Sequence, residues 1–171
     1  MIIPVTIGAD GQFVNRQAYD EAVTSAGILA RLQVSTAELL AQSSWFIGDG
    51  IPIVVESVGD YVSEMNQFIA SSTGLFALVS TPDFRYEAAN TWVASLKIQA
   101  FEFPAVNRSR AGRYITAQKL CEIMLGMLKD RQPSDEWAPI RPRSIEAVQR
   151  AETGVANYAF TGITRTQLTT K

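Results

Sequence analysis

Apolar and polar positions alternate most regularly over residues 91–103. Trp92, Ala94, Leu96, Ile98 and Ala100 fall on one side, and Val93, Ser95, Lys97 and Gln99 on the other. A period of two predicts a half-buried strand with one wetter face. Phe101 and Phe103 make that second face apolar near its end. Helical spacing follows at 116–128, where Thr116 can cap and Ala117, Leu120, Met124, Met127 and Leu128 form one side. Helical spacing also runs over 57–72. Val58, Val62, Met65 and Ile69 lie at i, i+4, i+7 and i+11, with Ser57 as cap, Asp60 at the third position and Gly74 as the stop.

The remaining segments carry shorter signals. Residues 1–14 hold Ile2, Ile3, Val5 and Ile7 before a Gly8 to Gly11 turn, and read as extended. Tyr19, Val23, Ala26 and Ala30 predict a helix over 16–31 with Asn15 as cap. Ser35 and Glu38 suggest a second helix over 36–44. Gly48 and Gly50 then break the chain, which sets a boundary between an N-terminal arm, 1–50, and a core domain, 51–171. In the core, residues 75–80 read as a strand that Thr81, Pro82 and Asp83 turn. Residues 144–150 and 155–166 read as a closing hairpin around Gly154. The expected fold is therefore α+β, a mostly antiparallel four-stranded sheet with helices packed on one face and an N-terminal extension.

Composition narrows the chemistry. The 171 residues include no histidine and a single cysteine, Cys121. Histidine-based triads, His-ligated metals and an intrachain disulfide are excluded. Cys121 reads as a packed structural thiol beside an apolar helix row. The acidic residues match no EF-hand or Glu-x-x-His spacing, and no phosphate-binding glycine loop is present. No cofactor is expected. Fifteen basic and seventeen acidic residues leave a net charge of −2, unlike a dedicated DNA-binding domain. The first residues lack a basic, apolar leader, and no stretch is long and apolar enough to span a membrane, so a soluble chain without a membrane partner is expected.

The candidate contact residues are Asn107, Arg108, Arg110 and Arg113, in the loop between the best strand and the best helix, with Trp45 and Phe46 in the arm. The arginines can be solvated. They can instead grip carboxylates of a neighbouring subunit, which suits their forked donors. A third reading is contact with nucleic acid. The arm can cover a sheet edge of its own subunit, or lie on a neighbour with Trp45, Phe46 and Ile47 as anchor. The sequon at Asn107 and Ser109 reads as a chance match.

The segment WVASLKIQAFEFPAVNRSRAGRYITAQKLCEIMLGMLKD, residues 92–130, resembles the middle of phage tail-terminator or tail-completion proteins. There a long strand ends in a loop with an Asn-Arg pair, a helix follows, and two late strands close the sheet. The helix over 57–72 also has its counterpart, so the resemblance covers about residues 51–168, while the first 50 residues stand apart from the family's shorter pattern. It implies a homo-oligomeric ring, commonly a hexamer, on the last ring of the tail tube. Such a ring stops tube polymerisation and docks to a head-side neck protein, in the virion, without catalytic residues. DNA passes through its channel without specific binding, which a near-neutral to acidic chain suits. Another neck or tail component, such as a head–tail connector or tube protein, is the neighbouring reading. A small carboxylate enzyme and a nucleic-acid-binding module around the arginines are the readings from other classes.

Overall fold

The computed structural model describes residues 27–56, 74–109, 113–149 and 154–168. The element order is α1 (Ile28–Ala41), α2 (Ser44–Ile47), β1 (Ile53–Val55), β2 (Leu75–Ala88), β3 (Thr91–Glu102), α3 (Pro104–Ser109), α4 (Ala117–Leu128), β4 (Arg141–Gln149) and β5 (Ala156–Gln167). The sheet has five strands in the order β1-β2-β3-β5-β4. The class is α+β, but the sheet is mixed, because β1 pairs parallel with β2 through Ile53, Val54 and Val55 opposite Ala77, Leu78 and Val79. The four-strand expectation missed β1. At three residues it is too short to show a period of two, and the burial of Ile53 and Val54 explains its all-apolar character. The predicted strand over 1–14 and helix over 57–72 lie outside the described residues.

Helices α1 and α4 pack on one face of the sheet. Leu32, Ala37 and Leu40 from α1 meet Leu120, Cys121, Met124 and Leu128 from α4 over Ala77, Val79, Leu96, Ile98 and Phe160. Burying a Leu or Phe side chain of this kind stabilises by about 1.5–3 kcal/mol. The opposite face holds a smaller cluster of Val54, Phe76, Leu78 and Phe101. Phe76 and Phe101 are cross-strand partners whose rings stack at 4.8 Å.

Three local expectations are corrected. The break between a helix ending at 31 and another starting near 36 is absent, since α1 runs unbroken from Ile28 to Ala41. Thr36 folds its hydroxyl back onto the Leu32 carbonyl (2.7 Å) and sits buried, so no cap forms there. Residues 27–50, assigned to an arm, supply Leu32, Ala37, Leu40 and Phe46 to the same core as the sheet. The turn at Thr81, Pro82 and Asp83 is instead a register shift inside β2, which continues to Ala88. Strand β1 reaches only Val79, so no described strand pairs with the outer edge at Pro82, where a missing N–H costs no ladder bond.

The real reversal lies at Ala89 and Asn90, both at positive φ (47° and 62°), as a two-residue hairpin turn requires. Strand β3 then pairs along its whole length with β5. Strand β4 starts at Arg141, three residues before the expected start, and forms the outer strand beside β5.

Candidate functional site

Strand β3 ends at Glu102, and its charge controls the loop that follows. Glu102 is buried at 4% exposure. Its Oε1 accepts from Asn107 Nδ2 at 2.9 Å and from the Tyr114 hydroxyl at 3.3 Å. Its Oε2 accepts from the backbone N–H of Ala117 at 2.8 Å, the first residue of α4. A carboxylate there meets an unsatisfied helix N–H and the positive end of the helix dipole. Thr116 completes the cap by accepting from Lys119 N–H at 3.2 Å, as the sequence predicts.

Asn107 is therefore an internal brace. It is 1% exposed, and its Nδ2 also donates to the Ile115 carbonyl at 2.8 Å. A side chain buried in this way offers no surface to a partner. Phe46 is likewise fully buried in the core. Both side chains are withdrawn from the contact surface that the sequence assigned them.

Arg113 and Trp45 do come together, within one chain. The guanidinium lies 3.6 Å from the centre of the Trp45 ring. Its Nε and Nη2 donate to Asp49 Oδ2 at 3.0 and 2.7 Å, and Nη2 also reaches Ser44 Oγ at 3.3 Å. The arginine ties the loop after α3 to the short helix α2 by a charge pair and a cation–π contact. Arg108 is exposed on α3, and Arg110 lies outside the described residues. The charge of Arg113 is thus matched within the chain, while Arg108 stays exposed.

Glu102 and Asp49 are the residues that sequence reasoning missed. The available signal for Glu102 was an acid between Phe101 and Phe103 at the end of an apolar strand face.

One concavity of about 830 Å³ is lined by Arg31, Asp135, Glu136, Trp137 and Arg165 among others. Arg31, Glu136 and Arg165 are held in ion pairs. Arg31 donates to both Glu136 oxygens at 3.1 and 2.9 Å, and Arg165 to both Glu87 oxygens at 2.8 and 3.1 Å. These hydrogen bonds raise both arginines above their ordinary values, and that from Arg165 holds Glu87 below the usual carboxylate range. Such pairs position the segments that carry them. Cys121 is fully buried, and burial first, with Glu122 nearby, pushes its thiol up to about 12. No group of acidic residues and cysteine able to hold a metal occurs among the described residues. No described helix is long and apolar enough to cross a membrane.

No family model and no curated protein matches the sequence. The fold, however, is similar to that of a chain in the virion of a native gene transfer agent (GTA) particle, with a TM-score of 0.55 at 13% identity. The similarity covers 86% of this chain and 98% of that chain, so the two share one fold over almost the whole of the virion chain.

Proposed function

We propose that the protein is a structural component of a phage-like virion, and within it a tail terminator. In this reading it forms a homo-oligomeric, commonly hexameric ring at the head-proximal end of the tail. The ring ends tube polymerisation and docks to the neck, and DNA passes through without specific binding. The observation that carries the reading is the fold shared with the GTA virion chain over 98% of that chain's length. The order of long strand, loop, helix and closing hairpin over residues 91–167 agrees with it. The nucleic-acid reading is weakened by Arg113, whose charge is already matched by Asp49.

Negative-stain electron microscopy with solution mass on the same sample tests this. Closed rings with an open channel are expected, and a hexameric mass supports the terminator role. A dodecamer favours a connector instead. A uniform monomer, both alone and with tail-tube protein added, overturns the proposal.

A further inference from the structure

Two connections in the sheet join parallel strands. Strands β1 and β2 are parallel neighbours. Strand β3 is antiparallel to β5, and β5 to β4, so β3 and β4 also run parallel, with β5 between them. Parallel strands cannot be joined by a hairpin, so the chain must cross one face of the sheet to reach the next strand. Such crossovers are right-handed almost without exception.

Handedness fixes the two faces. In the order β1-β2-β3-β5-β4, both connections step towards the β4 edge. Strand β2 is antiparallel to β3, so the first step leaves a strand pointing one way and the second a strand pointing the other. Two right-handed crossovers related in this way lie on opposite faces. The second carries α4, which packs with α1 over Leu96, Ile98 and Phe160. The first, residues 57–73, therefore crosses the face that holds Val54, Phe76, Leu78 and Phe101.

Burial supports this independently. Val54, Phe76 and Leu78 are 0%, 1% and 4% exposed. Their cluster draws on β1, β2, β3 and the flanking Phe103 and Val155, and on no described helix. Side chains on one sheet face cannot shield their own outer surface, so chain outside the described residues must exclude water there.

The sequence supplies a matching surface. Val58, Tyr61, Val62, Met65, Phe68 and Ile69 recur at i, i+3, i+4, i+7, i+10 and i+11, while Asp60, Ser63 and Gln67 fall on the opposite side. Residues 57–73 also exceed the dozen or so that a crossover needs.

We propose that residues 57–72 form an amphipathic crossover helix that seats this apolar stripe on Phe76, Leu78 and Phe101 of its own chain. The sheet then carries a helical layer on both faces, and this second face is core, closed to a neighbouring subunit. The proposal does not depend on the ring-forming reading.

The test uses the full chain with Leu78→Cys combined in turn with Val58→Cys, Val62→Cys, Met65→Cys or Ile69→Cys. Each is treated with dibromobimane, which fluoresces when it bridges two nearby thiols. Cys121 is buried on the other face, and its failure to react shows that a variant is folded. Where Leu78→Cys makes Cys121 reactive, Val54→Cys takes its place. At least one of the four pairs is expected to bridge within a single chain, and Leu78→Cys with Asp60→Cys, Ser63→Cys or Gln67→Cys is expected to give no bridge. Bridges only between chains mean that a second copy's segment covers the face, and overturn the proposal. Equal bridging from both sides of the segment, or from no pair, overturns it as well. So does a Leu78→Cys thiol that reacts with a maleimide as fast in buffer as in urea, because the face is then open.

Discussion

Asn107 Nδ2 donates to Glu102 Oε1 at 2.9 Å, and through that bond the end of the central strand is fastened to the loop that leads into α4. The carboxylate is buried, so each donor it loses leaves charge without a hydrogen bond. Asn107→Ala removes this donor and the one to Ile115, and is expected to cost about 2–3 kcal/mol in urea unfolding. Asn107→Asp places a second carboxylate against Glu102. It is expected to be worse than alanine at neutral pH, because two carboxylates then face each other. An alanine variant as stable as the parent would show that water replaces the amide.

Gly74 precedes β2 in a position only glycine tolerates. Its φ is +62°, and a Cβ there would sit 2.3 Å from the backbone nitrogen of Asn107. The atoms it would meet, in Val106 and Asn107, are all backbone, so none can swing aside. Gly74→Ala is expected to destabilise by roughly 3 kcal/mol or more and to disturb the Glu102 brace as well. Thermal unfolding checks this, and a change under about 0.5 kcal/mol, the scale of an ordinary surface substitution, would show that the loop moves freely.

Local periodicity made β3 and α4 legible, because both bury one regular face against the same core. The errors arose where a distant partner overrode a local signal. Ser35 and Thr36 look like a helix start, yet Thr36 lies mid-helix with its hydroxyl on Leu32. Pro82 looks like a turn, yet it lies in a strand whose outer edge no described strand pairs with there. Trp45 and Arg113 both read in the sequence as contacts for a neighbour, and they are partners of each other. Nothing in sequence spacing brings together residues 68 positions apart, nor reveals that Asn107 turns inward to a carboxylate.

The Arg113 contacts separate a structural from a nucleic-acid role. The guanidinium is about half exposed at 53%, so the pair with Asp49 is partly screened. Arg113→Met is expected to cost about 1 kcal/mol and to change Trp45 fluorescence. Duplex DNA affinity is expected to be equally weak in the parent, in this variant and in Arg108→Ala. A steeply salt-dependent affinity that the two substitutions abolish would instead support the DNA-binding reading.

Cys121 gives an alkaline signature whose sign follows from its burial. The folded thiol is raised from the ordinary value of 9.0 to about 12, so the folded state favours the neutral form. Its contribution to stability is complete below the unfolded value and is lost as pH rises through the folded one. At about pH 10.5 the parent is expected to have lost roughly 2 kcal/mol through this group alone. Cys121→Ala removes that loss, and costs about 1 kcal/mol at neutral pH through the shortened side chain in the core. The two stability curves are therefore expected to cross between about pH 9 and pH 10.5, with the alanine variant the more stable above the crossing. Urea unfolding of both chains across that range measures the difference directly, free of the lysines and tyrosines that titrate in each. Parallel curves would mean that the thiolate is accommodated in the folded core. The parent thiol should also resist a disulfide reagent at about pH 8 until the chain is unfolded, because little of it is thiolate and none of it is exposed.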